Sequence, residues 1–97
     1  MPALLEPEAV HRLLMELPDW KLQGDSIERV REFKGFREAI SFVDSVAREA
    51  EALNHHPDID IRYRRVRLVL STHSAGGLTS LDFNLARKLD GIPDPMH

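Results

Sequence analysis

Ninety-seven residues, 42% hydrophobic and 30% charged, suffice for one folded domain and are too few for two cores. Thirteen basic against sixteen acidic residues leave a formal charge of −3, without the overall basic footprint of a nucleic-acid binder. The absence of cysteine removes disulfides, thiolate metal sites and a cysteine nucleophile, and no apolar run approaches the roughly 18–20 residues of a membrane span.

The N-terminal "MPALLEPEAV" lacks the basic and apolar regions of a signal peptide, so a cytoplasmic location is expected. Over 8–17, Val10, Leu13, Leu14 and Leu17 form an amphipathic stripe, with Pro7 suited to the first turn and Pro18 ending the segment. "WKLQGDSIERVREF" reads as two short strands about Gly24-Asp25, although Ile27, Val30 and Phe33 do not alternate cleanly. The clearest element is 36–53, where Phe36, Ala39, Ile40, Val43, Val46, Ala47, Ala50 and Leu53 keep helical spacing. Asn54 tolerates the left-handed geometry that closes a helix, and Pro57 pushes His56 into an extended conformation. In "DIDIRYRRVRLVLSTH", Ile59, Ile61 and Tyr63 alternate with polar residues, then Val66, Leu68, Leu70 and Thr72 follow. This predicts a hairpin near Arg64-Arg65. "SAGG" is a loop, and "TSLD" places Thr79 and Asp82 at a capping-box spacing. Leu81, Leu85 and Leu89 carry the last helix to Gly91, leaving 92–97 as a tail. The order helix, two strands, helix, two strands, helix predicts an α+β domain. In it, a four-stranded antiparallel sheet has three helices on one face.

Several proton-active groups fall at the ends of these elements. Glu51 and His55 are four apart and share a face where the long helix stops, with His56 held beside them by Pro57. His73 is expected at the end of the fourth strand and Asp82 in the first turn of the last helix. Adjacent element ends can converge in one cleft, whereas His11 and His97 stand apart. Each group also has a plainer role: the histidines as solvated helix-end residues, Asp82 as a cap alone, Glu51 as a surface acid. The run Arg62, Arg64, Arg65 and Arg67 around Tyr63 fits the solvated face of two strands better than an anion site.

Taken jointly, Glu51, His55-His56-Pro57, Tyr63, His73 and Asp82 resemble the signature of the pterin-4a-carbinolamine dehydratases. "STHSAGGLTSLDFNLARKLD", "LPDWKL" with Trp20, and "FKGFREAISFVDSVAREAE" are similar to other segments of that family, so the resemblance spans about 4–91. Two positions depart from it. Asn54 stands where many members carry an acid, and Ile59 where others place an aromatic.

The resemblance implies dehydration of 4a-hydroxytetrahydropterin to quinonoid dihydropterin, after turnover of an aromatic amino acid hydroxylase, in tetrahydrobiopterin recycling. It assigns His55 and His73 as acid and base and His56 to pterin contact and proton transfer. Asp82 would orient a neighbouring imidazole or favour its charged form. Glu51 would be a supporting partner, with Asn54, Pro57, Ser71 and Thr72 also on the substrate side. The proton bookkeeping requires no cofactor and no metal. Two other classes stay open: a zinc hydrolase built on Glu51, His55, His56 and His73, and a non-catalytic dimerisation module of the transcriptional coactivator type. Adjacent histidines in extended backbone point oppositely, which disfavours the zinc arrangement. The long helix is apolar beyond one stripe, and "VRLVLST" at a sheet edge would attract a partner, so a homodimer or homotetramer is expected.

Overall fold

Proline fixes the start of the first element: Pro7 opens α1 (Pro7–Met15), where its missing N–H costs nothing. The computed structural model describes residues 2–95, so His97 lies outside the described residues. α1 ends two residues before the stripe does. Leu17, its N–H bonded to the Leu14 carbonyl, is buried beyond the helix, just ahead of Pro18. β1 (Lys21–Gln23) and β2 (Ser26–Glu32) follow, joined at Gly24-Asp25 with Gly24 at φ +59°. α2 (Phe36–Leu53) spans the expected run and closes on Asn54 at φ 50°, in the left-handed region. Its buried residues are Ala39, Phe42, Val46 and Ala50, while Phe36 is 52% exposed. The apolar surface of α2 is therefore wider than the domain covers.

β3 (Asp58–Arg62) and β4 (Arg65–Leu70) pair with Arg62 opposite Arg65, which places the turn at Tyr63-Arg64, one residue earlier than expected. Tyr63 sits at φ 54° and is largely exposed, so it is a turn residue and does not continue the inward set of β3. A bulky side chain at a position that favours glycine or asparagine leaves no compositional trace of the turn. α3 (Ser80–Asp90) completes the chain. The sheet is antiparallel throughout, in the order β1-β2-β4-β3. Four strands and three helices in this order make the α+β fold. β4 is consequently interior, hydrogen-bonded on both sides, and Leu68 is fully buried. The expectation of an exposed edge there is overturned; the edges are β1 and β3.

The register explains the irregular alternation of β2. Ile27, Arg29 and Arg31 face the same side as Leu70, Leu68 and Val66, the side that carries the helices. Two arginines therefore occupy inward positions and need partners there. Arg29 pairs with Asp90, which also accepts the Trp20 indole N–H at 2.8 Å, and reaches Asp19 at 3.4 Å. Arg31 lies over the Phe33 and Phe42 rings, 5.2 and 4.6 Å from their centroids, and bonds Asp94 and the Ile92 carbonyl. The segment after Gly91 is thus fastened to β2, and Ile92 packs on the core.

Candidate active site

The left-handed turn at Asn54 sends the chain back across the end of α2. The His55 N–H caps the Ala50 carbonyl, and its side chain turns toward the first turn of α3. There Asp82 is the third residue of the helix. Its Oδ2 accepts the Thr79 N–H at 2.9 Å, and the Thr79 hydroxyl accepts the Leu81 N–H at 3.2 Å, forming the capping box. The Thr72 hydroxyl also donates to Oδ2, at 2.8 Å. That spends the single Thr72 proton, so in the 2.8 Å contact between the two threonines Thr79 is the donor. The other oxygen of Asp82, Oδ1, accepts from His55 Nε2 at 2.6 Å. Asp82, Thr79 and Thr72 are buried, and the His55 side chain retains 11% exposure. The result is an imidazole anchored from below by a carboxylate with no solvent access. Nε2 carries the proton toward Asp82, which leaves Nδ1 as the nitrogen able to exchange one.

His56 is oriented separately, its Nε2 donating to Glu51 Oε2 at 2.6 Å across an exposed surface. β4 stops at Leu70, and Thr72 forms an isolated bridge with Gly77 around a single 3-10 turn, His73–Ala75. His73 therefore projects from a turn, not from a strand end, and is exposed. It lines a cavity of ≈ 340 Å³ with Asp25, Ser26, Asp58, Val69, Ser71, Gly76 and Gly77. Ser71 is held there by its hydroxyl donating to the Asp25 carbonyl at 2.8 Å. Among the described residues, no group of three or more histidines and carboxylates gathers as a metal site.

The comparisons with known proteins agree on one family. A family model described as "Pterin 4 alpha carbinolamine dehydratase" matches residues 3–92. The chain belongs to this family. A relative from Acidobacterium capsulatum that bears the dehydratase name is 56% identical over 93% of this chain and 98% of its own length. One from Thermomicrobium roseum with the same name is 54% identical, covering 90% and 94%. Among solved structures, one titled a transcriptional coactivator/pterin dehydratase from Brucella melitensis superposes with a TM-score of 0.84 at 38% identity. It covers 89% of this chain and 94% of that one. A pterin dehydratase-like protein titled a RuBisCO assembly factor shares the fold alone, with a TM-score of 0.63 at 21% identity, covering 74% and 86% of the two chains.

Of the residues that the dehydratase resemblance singles out, His55, Asp82 and Thr72 form one bonded unit, and His56 with Glu51 a second. His73 and Ser71 share the cavity. Asn54 acts as the left-handed cap of α2 and Pro57 follows the histidine pair, half-buried. Thr72 is 3% exposed, with its hydroxyl committed to Asp82, so this side chain supports the carboxylate and does not face the cavity. Asp25, Ser26 and Asp58 escape a reading by spacing, whereas the capping-box pattern already ties Thr79 to Asp82. Of the basic run, Arg62, Arg64 and Arg67 pair with Asp60, Glu32 and Glu28, as expected of a solvated face. No helix among the described residues is long and apolar enough to cross a membrane.

Proposed function

We propose that this protein dehydrates 4a-hydroxytetrahydropterin to quinonoid dihydropterin by histidine acid–base catalysis in the cytoplasm, following aromatic amino acid hydroxylation. The C4a–O bond breaks as the hydroxyl takes a proton and leaves as water. N5 gives up its proton, and its electron pair forms the C4a=N5 double bond. One proton is delivered and one removed, so the two imidazoles exchange protonation states, and proton transfer through solvent restores them before the next turnover. The observation that carries this reading is the buried Asp82, which fixes His55 by Nε2 and presents Nδ1 for proton exchange. His73 is the complementary group, its imidazole without a hydrogen-bond partner among the described residues and open to the cavity. His56, held by Glu51, would contact the pterin and share in proton transfer. A homodimer or homotetramer is part of the proposal, supported by the wide apolar surface of α2.

The decisive experiment measures dehydration of 4a-hydroxytetrahydropterin, made in situ, by the purified protein and by its His55 and His73 variants. Catalysis in the wild type that both substitutions diminish is the expected result. A non-catalytic dimerisation module for transcription regulators is the second reading, prompted by the double title of the Brucella relative. A protein that accelerates nothing in this assay, with or without added zinc, would favour that reading over the dehydratase one.

A further inference from the structure

Resting on the dehydratase reading and deepening it, we infer that Thr72 is a positioning residue for turnover. Its hydroxyl ties the two proton-exchanging histidines, His55 and His73, into one rigid unit. The two come from different segments, one just past the end of α2 and the other in the 3-10 turn after β4. Delivering a proton at one substrate atom and removing one at another requires both imidazoles at a fixed spacing. A misplacement of about 1 Å in such an arrangement can cost on the order of 10²-fold in rate. The His55 ring is fixed by Asp82, whereas the His73 ring has no hydrogen-bond partner among the described residues. The position of His73 therefore depends on the backbone that carries it.

Thr72 immediately precedes His73 and closes that backbone. Its N–H donates to the Gly77 carbonyl at 2.9 Å, and its carbonyl accepts the Ala75 and Gly76 N–H groups, both at 3.0 Å. Its side chain points the other way, into the core, where it donates to Asp82 Oδ2 at 2.8 Å. Asp82 in turn holds the His55 ring through Oδ1. One hydroxyl thus links the loop beside His73 to the carboxylate beneath His55, with a single carboxyl group between them. The buried Thr79 completes the joint, because its hydroxyl donates to Thr72 and leaves the Thr72 proton aimed at Asp82. The α3 cap does not need the Thr72 hydroxyl: Thr79 N–H still reaches Asp82, and Leu81 N–H still reaches Thr79, without it. What this hydroxyl adds beyond the cap is the registration of His73 against His55. Valine has nearly the same shape but no donor, so it would fill the space and leave the link open.

The test is a double-mutant cycle on the dehydration of 4a-hydroxytetrahydropterin, made in situ. Thr72→Val is expected to lower kcat about tenfold and to change KM less than about twofold, because the hydroxyl acts on His55 and not on substrate. Thr72→Ser keeps the donor and should bring kcat back to within about threefold of the wild type. In a His55→Ala background, Thr72→Val should cost less than about twofold, since the ring it positions is gone. Where Thr72→Val does not yield folded protein by circular dichroism, Thr72→Ala carries the same cycle, being smaller and equally without a donor. A wild-type kcat in the donor-less variant overturns the inference, as does a serine variant no better than it. An equal loss with and without His55 does so too, because a merely structural threonine would give that pattern. Each of these outcomes leaves the dehydratase reading standing, whereas a wild type that turns over no substrate ends both.

Discussion

Asp82 belongs to two structures at once, and substitutions can separate them. Its Oδ2 closes the α3 cap while its Oδ1 holds His55. In Asp82→Asn, an amide oxygen can still serve Thr79 and Thr72, but the amide nitrogen would face His55 and force the other tautomer. We expect less than about 1 kcal/mol of lost stability by urea unfolding, with kcat/KM down at least tenfold. Asp82→Ala removes both acceptors and strands buried donors, so about 3 kcal/mol should go as well. Equal unfolding midpoints for the two variants would sink this division of labour. His55→Ala and His73→Ala should each lower kcat/KM at least tenfold, on the scale of acid–base groups, while circular dichroism shows an intact fold. Wild-type turnover in either variant overturns its assignment. At this scale the sequence spoke through local spacing: Thr79 and Asp82 announce a cap, and Glu51 reaches the histidine pair within two turns. The bond from Thr72 to Asp82 depends on how separate segments meet, which spacing does not encode.

Elements show the same division between local and distant causes. α2 and the Gly24-Asp25 turn were legible because periodicity and a glycine at positive φ are properties of short windows. β2 read poorly because Arg29 and Arg31 take inward positions, with their counter-charges on α3 and beyond. The two anchors differ in exposure: Asp90 is 25% exposed and Asp94 77%. Asp90→Ala leaves Arg29 and the Trp20 indole short of their shared acceptor and should cost about 2–3 kcal/mol in urea unfolding. Asp94→Ala, on the surface, should cost at most about 1 kcal/mol. The reverse order of stabilities would show that the exposed pair is the true fastening.

For the molecule as a whole, strand order was the feature composition could not supply. Hydrophobicity made β4 look like an adhesive edge, but the same hydrophobicity is what an interior strand needs. Leu68→Lys is therefore expected to unfold the domain and not to dissociate an assembly. The uncovered side of α2 is the better candidate for a second copy, with Phe36 half exposed and Ile40 and Val43 only partly buried. Sedimentation at micromolar concentration should find a dimer or larger species, and Phe36→Lys should shift it toward monomer. A wild-type monomer of 11.1 kDa across that range removes the proposal. Full turnover is expected after exhaustive chelation, because two imidazoles supply both proton transfers. Activity lost to chelator and restored by zinc would favour the metal reading instead.

The fastening of β2 also sets a schedule for biosynthesis. Arg29 leaves the ribosome 61 residues ahead of Asp90, and Arg31 is 63 ahead of Asp94. Until those acids emerge, a nascent chain that closed its sheet would bury Arg29 without Asp90, its closest counter-charge, a state that costs more than staying open. Completion of the core is thereby deferred to the end of synthesis of this segment. A product cut short before residue 90 carries a built-in mark of incompleteness, two inward arginines that lack Asp90 and Asp94.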